Sequence, residues 1–171
     1  KVPVVAAIHG SCMGGGLETV LACAYRVASD HPKTSLGLPE VNLGIIPGMG
    51  GTQRLPRLVG LRTALDLILT GRALKATRAL KAGVVDEVVP EPVVVDVARR
   101  AAARLADGTL RPRRPGIPLI EKMMRPVIFS KARASVREKT HGHYPAPLAA
   151  IDVVEKGTTL SLEEGLKLEA K

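Results

Sequence analysis

Glu18 and Glu40 each stand beside a glycine-rich turn, one in Gly14-Gly15-Gly16-Leu17-Glu18, the other in Leu38-Pro39-Glu40, upstream of Ile46-Pro47-Gly48-Met49-Gly50-Gly51. Glycine lets backbone N–H groups approach a ligand closely, and a helix that starts at such a turn adds the positive end of its dipole. The arrangement suits an oxygen that becomes anionic only during reaction. A carboxylate beside that cradle can move protons, and two of them can handle both ends of a water molecule added across a double bond. Taken singly, Glu18 also reads as a first-turn acid that complements a helix dipole, and Glu40 as a surface acid after a proline. Their joint placement in a short, largely apolar stretch favours chemistry. Uncompensated carboxylates in such surroundings have raised pKa values, so one can stay protonated as an acid while the other holds or deprotonates water.

The elements that must position them follow from periodicity. Lys1 to Gly10 reads as a strand, and Gly16 to Ala24 as a helix with Leu17, Val20, Leu21 and Ala24 on one face. Short strands are expected over Arg26–Ser29 and Thr34–Leu38, with a turn at Asp30-His31-Pro32-Lys33 between them. Helices over Thr52–Val59, Leu61–Leu69 and Ala76–Ala82 follow, the last two closed by Gly71 and Gly83. A strand over Val84–Val89 and an amphipathic helix over Val93–Ala106 complete an α/β pattern. Residues 1–106 therefore read as a layered core. Residues 107–140 read as a basic helical segment entered through a Gly/Pro-rich stretch, and residues 141–171 as a linker-like turn, His141 to Pro147, with two short helices. Ser161-Leu162-Glu163-Glu164 matches a capping box for the last of these.

Composition narrows the class. The 171 residues are 46% hydrophobic and hold no apolar run long enough to span a membrane, and the start of the chain does not match a signal peptide. The first residue is Lys1 and an apolar strand begins at once, so a fragment is expected. Cys12 and Cys23 form no disulfide or metal pattern, and no histidine is placed to activate Cys12 as a nucleophile. His9, His31, His141 and His143 sit beside a strand or at turns without metal-ligand spacing, so no metal is expected. Val97 to Lys139 carries twelve Lys/Arg against three acids and accounts for the whole net charge of +9. With Phe129 as its only aromatic, this segment reads as a solvated face or an interface; nucleic acid is not expected, and peripheral membrane contact stays open. Gly10 to Gly16 lacks the Lys-Ser/Thr pair of a P-loop and the spacing of a dinucleotide fingerprint.

The runs Ala6-Ala7-Ile8-His9-Gly10-Ser11-Cys12-Met13-Gly14-Gly15-Gly16-Leu17-Glu18 and Leu36 to Leu55 closely resemble the enoyl-CoA hydratase (crotonase) superfamily, and the resemblance extends through Leu69-Thr70-Gly71-Arg72 and Ala82-Gly83-Val84-Val85-Asp86. A shorter match, His143-Tyr144-Pro145-Ala146-Pro147 with the helix after it, is similar to the segment joining the hydratase and dehydrogenase parts of multifunctional fatty-acid oxidation α-subunits.

The resemblance implies a spiral of β-β-α repeats followed by C-terminal helices, incomplete here. It implies hydration of trans-2-enoyl-CoA to 3-hydroxyacyl-CoA, with accessory isomerase activity compatible with Glu40. Glu18 would activate water and Glu40 exchange the α-proton. Gly15 would supply an oxyanion N–H; Gly14, Leu38 and Gly48 would lie against substrate. No cofactor is implied beyond the CoA of the substrate, NAD belonging only to the dehydrogenase part. Implied partners are an acyl-CoA thioester and a thiolase subunit or further copies of the chain. The compartment implied is the bacterial cytoplasm, with the mitochondrial matrix as alternative. A free-standing hydratase or isomerase competes with the multifunctional reading, as does a binding module for RNA or membrane on the same scaffold. Because the family's first oxyanion donor lies upstream of the position matching Lys1, the 171 residues alone are expected to be inactive or poorly folded.

Overall fold

The computed structural model describes residues 2–112, 115–141 and 143–171. Lys1 of the expected first strand, Arg113 and Arg114 of the basic stretch and Gly142 of the expected linker turn lie outside the described residues. Strands β1 (Val5–Ile8) and β2 (Ser11–Met13) lead into helix α1 (Gly15–Leu21). The second unit runs β3 (Tyr25–Ser29), β4 (Ser35–Gly37), a 3-10 turn (Glu40–Leu43), α2 (Gly51–Val59) and α3 (Leu61–Thr70). β5 (Leu74–Lys75), α4 (Ala76–Ala82), β6 (Glu87–Val89) and α5 (Val94–Ala106) follow. Each of the first two units gives one strand to each of two sheets. The first, β1-β3-β6, is parallel throughout; in the second, β2-β4-β5, β5 runs antiparallel to β4. The fold is α/β, and its opening repeats are the β-β-α units implied by the family resemblance.

β3 is the central strand of its sheet and is covered on both faces, as buried parallel strands are. Val27 packs with Val94 and Ala98 of α5, while the next residue, Ala28, turns into the main core. Gly71 and Gly83 end α3 and α4 in the left-handed conformation, at φ 61° and 80°, where a Cβ is strained.

Four more helices complete the chain: α6 (Leu119–Met123), α7 (Arg125–Thr140), α8 (Pro145–Gly157) and α9 (Leu162–Glu169). Two expectations shift here. Of the strand expected over Val84–Val89, only Glu87–Val89 pairs, because Val84 and Val85 turn into the core. Pro145-Ala146-Pro147 forms the first turn of α8, where proline is tolerated because first-turn amides have no intrahelical acceptor. The capping box at Ser161 and Glu164 is present in both directions.

The core runs across residues 107 and 141. Ile128, Phe129 and Val136 of α7 and Ala150, Ile151 and Val154 of α8 belong to the same buried cluster as Leu17, Leu38 and Leu55. Phe129 is wholly buried, so it offers no face to a nucleic-acid base. Part of the basic stretch is paired, since Arg133 of α7 reaches Asp152 and Glu155 of α8 at 2.6 and 2.5 Å. Gln53, fully buried on α2, fills a slot left by two glycines: a Cβ on Gly157 or Gly165 would lie 2.1 or 2.3 Å from its Oε1. Arg57, one turn on, donates to the Gly157 and Leu160 carbonyls and ties the α8–α9 corner to α2. No helix among the described residues is long and apolar enough to cross a membrane.

A buried ion pair links β3 to the residue ahead of β6. Arg26 Nη2 lies 2.7 Å from Asp86 Oδ2, both side chains about 4% exposed or less, and the Arg26 amide donates to the same oxygen. Removing one member strands the other in a medium that cannot solvate it. Asp86→Ala should lower unfolding stability by about 3–5 kcal/mol in denaturant melts, and a loss below about 1 kcal/mol would show that Arg26 finds water instead.

Candidate functional site

Gly14 makes the first glycine turn, at φ 56° and ψ −130°, a conformation open to glycine. Its amide donates to the Gly37 carbonyl at 2.9 Å and so ties the end of β2 to β4. Among the described residues no side chain caps α1, which leaves its first-turn amides, Gly15 among them, available to an acceptor. A Cβ on Gly14 would come within 3.0 Å of Glu40 Oε1, and one on Gly15 within 3.2 Å of the Met49 sulfur. The first turn therefore needs glycine twice over, for its backbone and for the two side chains that rest on it.

Glu18, on α1, is 2% exposed and accepts from the Met49 and Gly51 amides at 2.8 and 2.7 Å. The two amides between and after these serve another acid. Glu169, the last residue of α9, accepts from the Gly50 amide, from the Thr52 amide at 2.9 Å and from the Thr52 hydroxyl. Four successive N–H groups at the start of α2 thus alternate between two buried carboxylates. Backbone dipoles at a helix N-terminus stand in for a cation.

Glu40 completes the group from the 3-10 turn. It is 8% exposed, and its Oε2 is buried with no hydrogen-bond partner among the described residues. Burial pushes its pKa up, its own amide pulls it back, and Glu18 and Glu169 raise it further. Glu169 is also raised, chiefly by burial, against the hydrogen bonds from Thr52 and Gly50.

The structure brings Glu18, Glu40, Gly14 and Gly15 together as the sequence suggests. Gly48 faces open space, since a Cβ there would meet nothing within 4 Å. Leu38 is wholly buried in the core rather than open to a ligand. Thr52 and Gln53 face Glu169 and α8 rather than an open water site, and the Asn42 amide lies over Gly71. Cys12 is a core thiol pushed up to about 11 by burial, which removes it as a nucleophile near neutral pH. Glu169 is the residue sequence reasoning missed. Its signal was an acid in the last turn of a helix, where the dipole disfavours negative charge unless something else holds it. A cavity of about 390 Å³ between α3 and α7, floored by Leu65, Leu69 and Ile128, lies apart from the three carboxylates.

A β-β-α spiral carrying two buried acids at paired glycine turns defines a class, and the profile of the enoyl-CoA hydratase/isomerase family matches residues 1–144. The chain belongs to that family. It is 49% identical over 177 residues to the fatty acid oxidation complex subunit alpha of Shewanella loihica, covering 100% of this chain and 25% of that protein. With the subunit of the same name from Vibrio vulnificus it shares 49% over 175 residues, 99% of this chain and 24% of that one. The chain spans about a quarter of the length of these curated relatives. Among solved structures, enoyl-CoA hydratase from Bacillus anthracis superposes with a TM-score of 0.59 at 35% identity, covering 98% of this chain and 51% of that one. Enoyl-CoA hydratase from Mycobacterium tuberculosis gives 0.57 at 32%, covering 92% and 63%.

Because its pKa is raised, Glu40 binds its proton more tightly in the folded state, so its ionisation weakens the fold as pH climbs above the ordinary value of 4.5. Glu40→Gln should therefore melt higher than the parent at pH 8, by about 1 kcal/mol, with the gap closing toward pH 4.5. A variant less stable than the parent at pH 8 would contradict this placement of the carboxyl. Glu169→Ala, which leaves two amides and a hydroxyl without their acceptor, should cost at least about 1.5 kcal/mol in the same melts. A neutral effect would mean that α9 does not hold the turn.

Proposed function

We propose that this chain carries the acid–base machinery of an enoyl-CoA hydratase, which adds water to trans-2-enoyl-CoA and yields 3-hydroxyacyl-CoA. The observation that carries the proposal is the placement of two buried acids at neighbouring glycine turns, Glu18 on the Met49 and Gly51 amides and Glu40 against Gly14, with Glu40 Oε2 unpartnered among the described residues and its pKa raised by burial. Glu18, hydrogen-bonded through Oε1 to two amides, takes a proton from water as the oxygen bonds to the β-carbon. The electron pair of the double bond moves to the thioester, whose oxygen gains charge against the Gly15 amide. Protonated Glu40 then delivers its proton to the α-carbon, and the enolate collapses. Burial favours this protonated form of Glu40. Gly48, beside open space, leaves room for the water and the acyl chain, and Gly14 leaves room for the Glu40 carboxyl.

Hydration changes no net oxidation state, so the reaction needs no redox cofactor; in the multifunctional relatives NAD serves the dehydrogenase part. Glu40 alone suffices to shuttle a proton between carbons, which makes enoyl-CoA isomerisation the accessory activity. The two fatty acid oxidation complex subunits at 49% identity support an acyl-CoA thioester as substrate and a place in a complex; the partner in this reading is a thiolase subunit or further copies of the chain. Their bacterial origin supports a cytoplasmic setting.

In the full-length gene product, Glu18→Gln and Glu40→Gln should each lower kcat for crotonyl-CoA hydration by about 10²- to 10⁴-fold. Only Glu40→Gln should abolish exchange of the α-proton with deuterated solvent. Near-normal hydration in both variants rules out the two-acid mechanism.

A further inference from the structure

Three chemistry-bearing side chains, none of them part of the carboxylate cluster, meet at the carboxyl end of the β1-β3-β6 sheet. His9 follows β1 by one residue, His31 follows β3 by two, and Glu91 follows β6 by two. The parallel register explains the meeting: Ile8 pairs with Ala28, and Ser29 with Val89, so each strand delivers its next residues to the same edge. Their ligand atoms all lie within 4.8 Å of one another. His9 Nε2 stands 3.5 Å from Glu91 Oε1, and His31 Nε2 stands 3.7 Å from Glu91 Oε2. Neither separation is that of a hydrogen bond with good geometry. Both are close to the spacing of about 3.3–3.4 Å between neighbouring ligands of a tetrahedral cation with bonds of about 2.0–2.1 Å.

We propose that His9, His31 and Glu91 bind a divalent transition cation of the zinc type, which staples the ends of three parallel strands, with water completing its coordination. Two imidazoles and one carboxylate suit such a cation and disfavour calcium or magnesium, which take oxygen ligands. The site has a buried support behind it. His9 Nδ1 is 3.0 Å from Ser29 Oγ, which in turn is 2.6 Å from Thr34 Oγ1; both hydroxyl residues are fully buried, and the Gly10 amide donates to Thr34. With the Ser29 hydroxyl donating its hydrogen bond to Thr34 Oγ1, Ser29 Oγ accepts from His9 Nδ1–H, and the His9 Nε2 lone pair faces Glu91. This proton placement is assigned from the network, and it is the tautomer a metal ligand requires. The rings of His9 and His31 stand edge to face with centroids 5.1 Å apart, which leaves their Nε2 atoms free to converge.

His31 must change more. Its Nδ1 accepts from the Lys33 amide at 3.1 Å, which puts the proton on Nε2 in the metal-free form. Uptake moves that proton to Nδ1 through solvent and turns the Lys33 amide to water. Both His31 and Lys33 sit on an open turn, and about half of the Glu91 side chain is exposed, so the ion has a path in. The isolated spacing of His9, His31 and Glu91 gives no hint of this, because the proximity comes from strand register.

The test uses untagged, chelator-treated protein titrated with Zn²⁺ by calorimetry and with Co²⁺ by visible absorption. The expected result is one saturable equivalent, the intense band of four-coordinate Co²⁺, and a Zn²⁺-dependent rise in Tm. Glu91→Gln and His31→Asn should each weaken binding at least about tenfold, and the double variant should show neither the Co²⁺ band nor the Tm shift. Far-UV circular dichroism establishes that the variants fold, and His141→Asn with His143→Asn should leave binding intact. No saturable Zn²⁺ uptake by the parent overturns the proposal. So does undiminished uptake by the folded double variant, or uptake lost only with His141 and His143.

Discussion

Four consecutive amides at the start of α2 are divided between two acids, and most of the site is built around that division. Met49 and Gly51 donate to Glu18; Gly50 and Thr52 donate to Glu169. An extended strand would point alternate amides to opposite sides, and here a glycine turn at the mouth of a helix does so in a curved form. Gly50 allows it by adopting φ 103° as the N-cap of α2. A Cβ at Gly51 would sit 2.8 Å from Glu18 Oε1 and 2.9 Å from Pro47, so the carboxylate can approach only because that position is bare. The constraint runs in both directions, since the turn needs anions to satisfy its amides and the anions need the turn in place of a cation.

From this division follows the different state of the third acid. Glu40 lies against Gly14 with one buried oxygen unpartnered, and its two acidic neighbours both disfavour its ionisation. Burial raises both Glu40 and Glu169, but hydrogen bonds from Thr52 and Gly50 oppose the shift at Glu169, whereas Glu40 has one buried oxygen without a partner among the described residues. That asymmetry sets Glu40 apart from Glu18, as the proposed division between proton donor and proton acceptor requires.

How much of this could be read beforehand depends on where each signal lies in the chain. Glu18 and Glu40 were legible because their glycine turns are adjacent in sequence, and Gly71 and Gly83 because a glycine after an apolar helical run ends the helix. β2 and β5 were not, since strands of three and two residues carry too little alternation to be distinguished from the turns around them. The second glycine turn was read as a cradle for an external oxygen, whereas the protein's own acids occupy its amides. Glu169 contacts that turn across a separation of 117 to 119 residues, and no local pattern encodes a contact of that span. His9, His31 and Glu91 were invisible for a related reason, because only the register of three parallel strands aligns them.

The C-terminal helices matter to the chemistry more than their position in the sequence suggests. α9 carries Glu169 to the turn, and α9 is held in place by the capping box at Ser161, by the α8–α9 corner on Arg57 and by Gln53 in its glycine slot. Gln53 and Arg57 are on α2, the helix whose amides Glu169 satisfies. Helix and clamp therefore form a closed loop of dependence: loosening α9 frees Gly50 and Thr52, and loosening the start of α2 removes the donors that hold Glu18. A fluctuation that opens the α8–α9 corner should accordingly reach the Glu18 carboxylate without touching it. The rigidity of the proposed proton acceptor is thus set at the far end of the chain rather than in the helix that bears it.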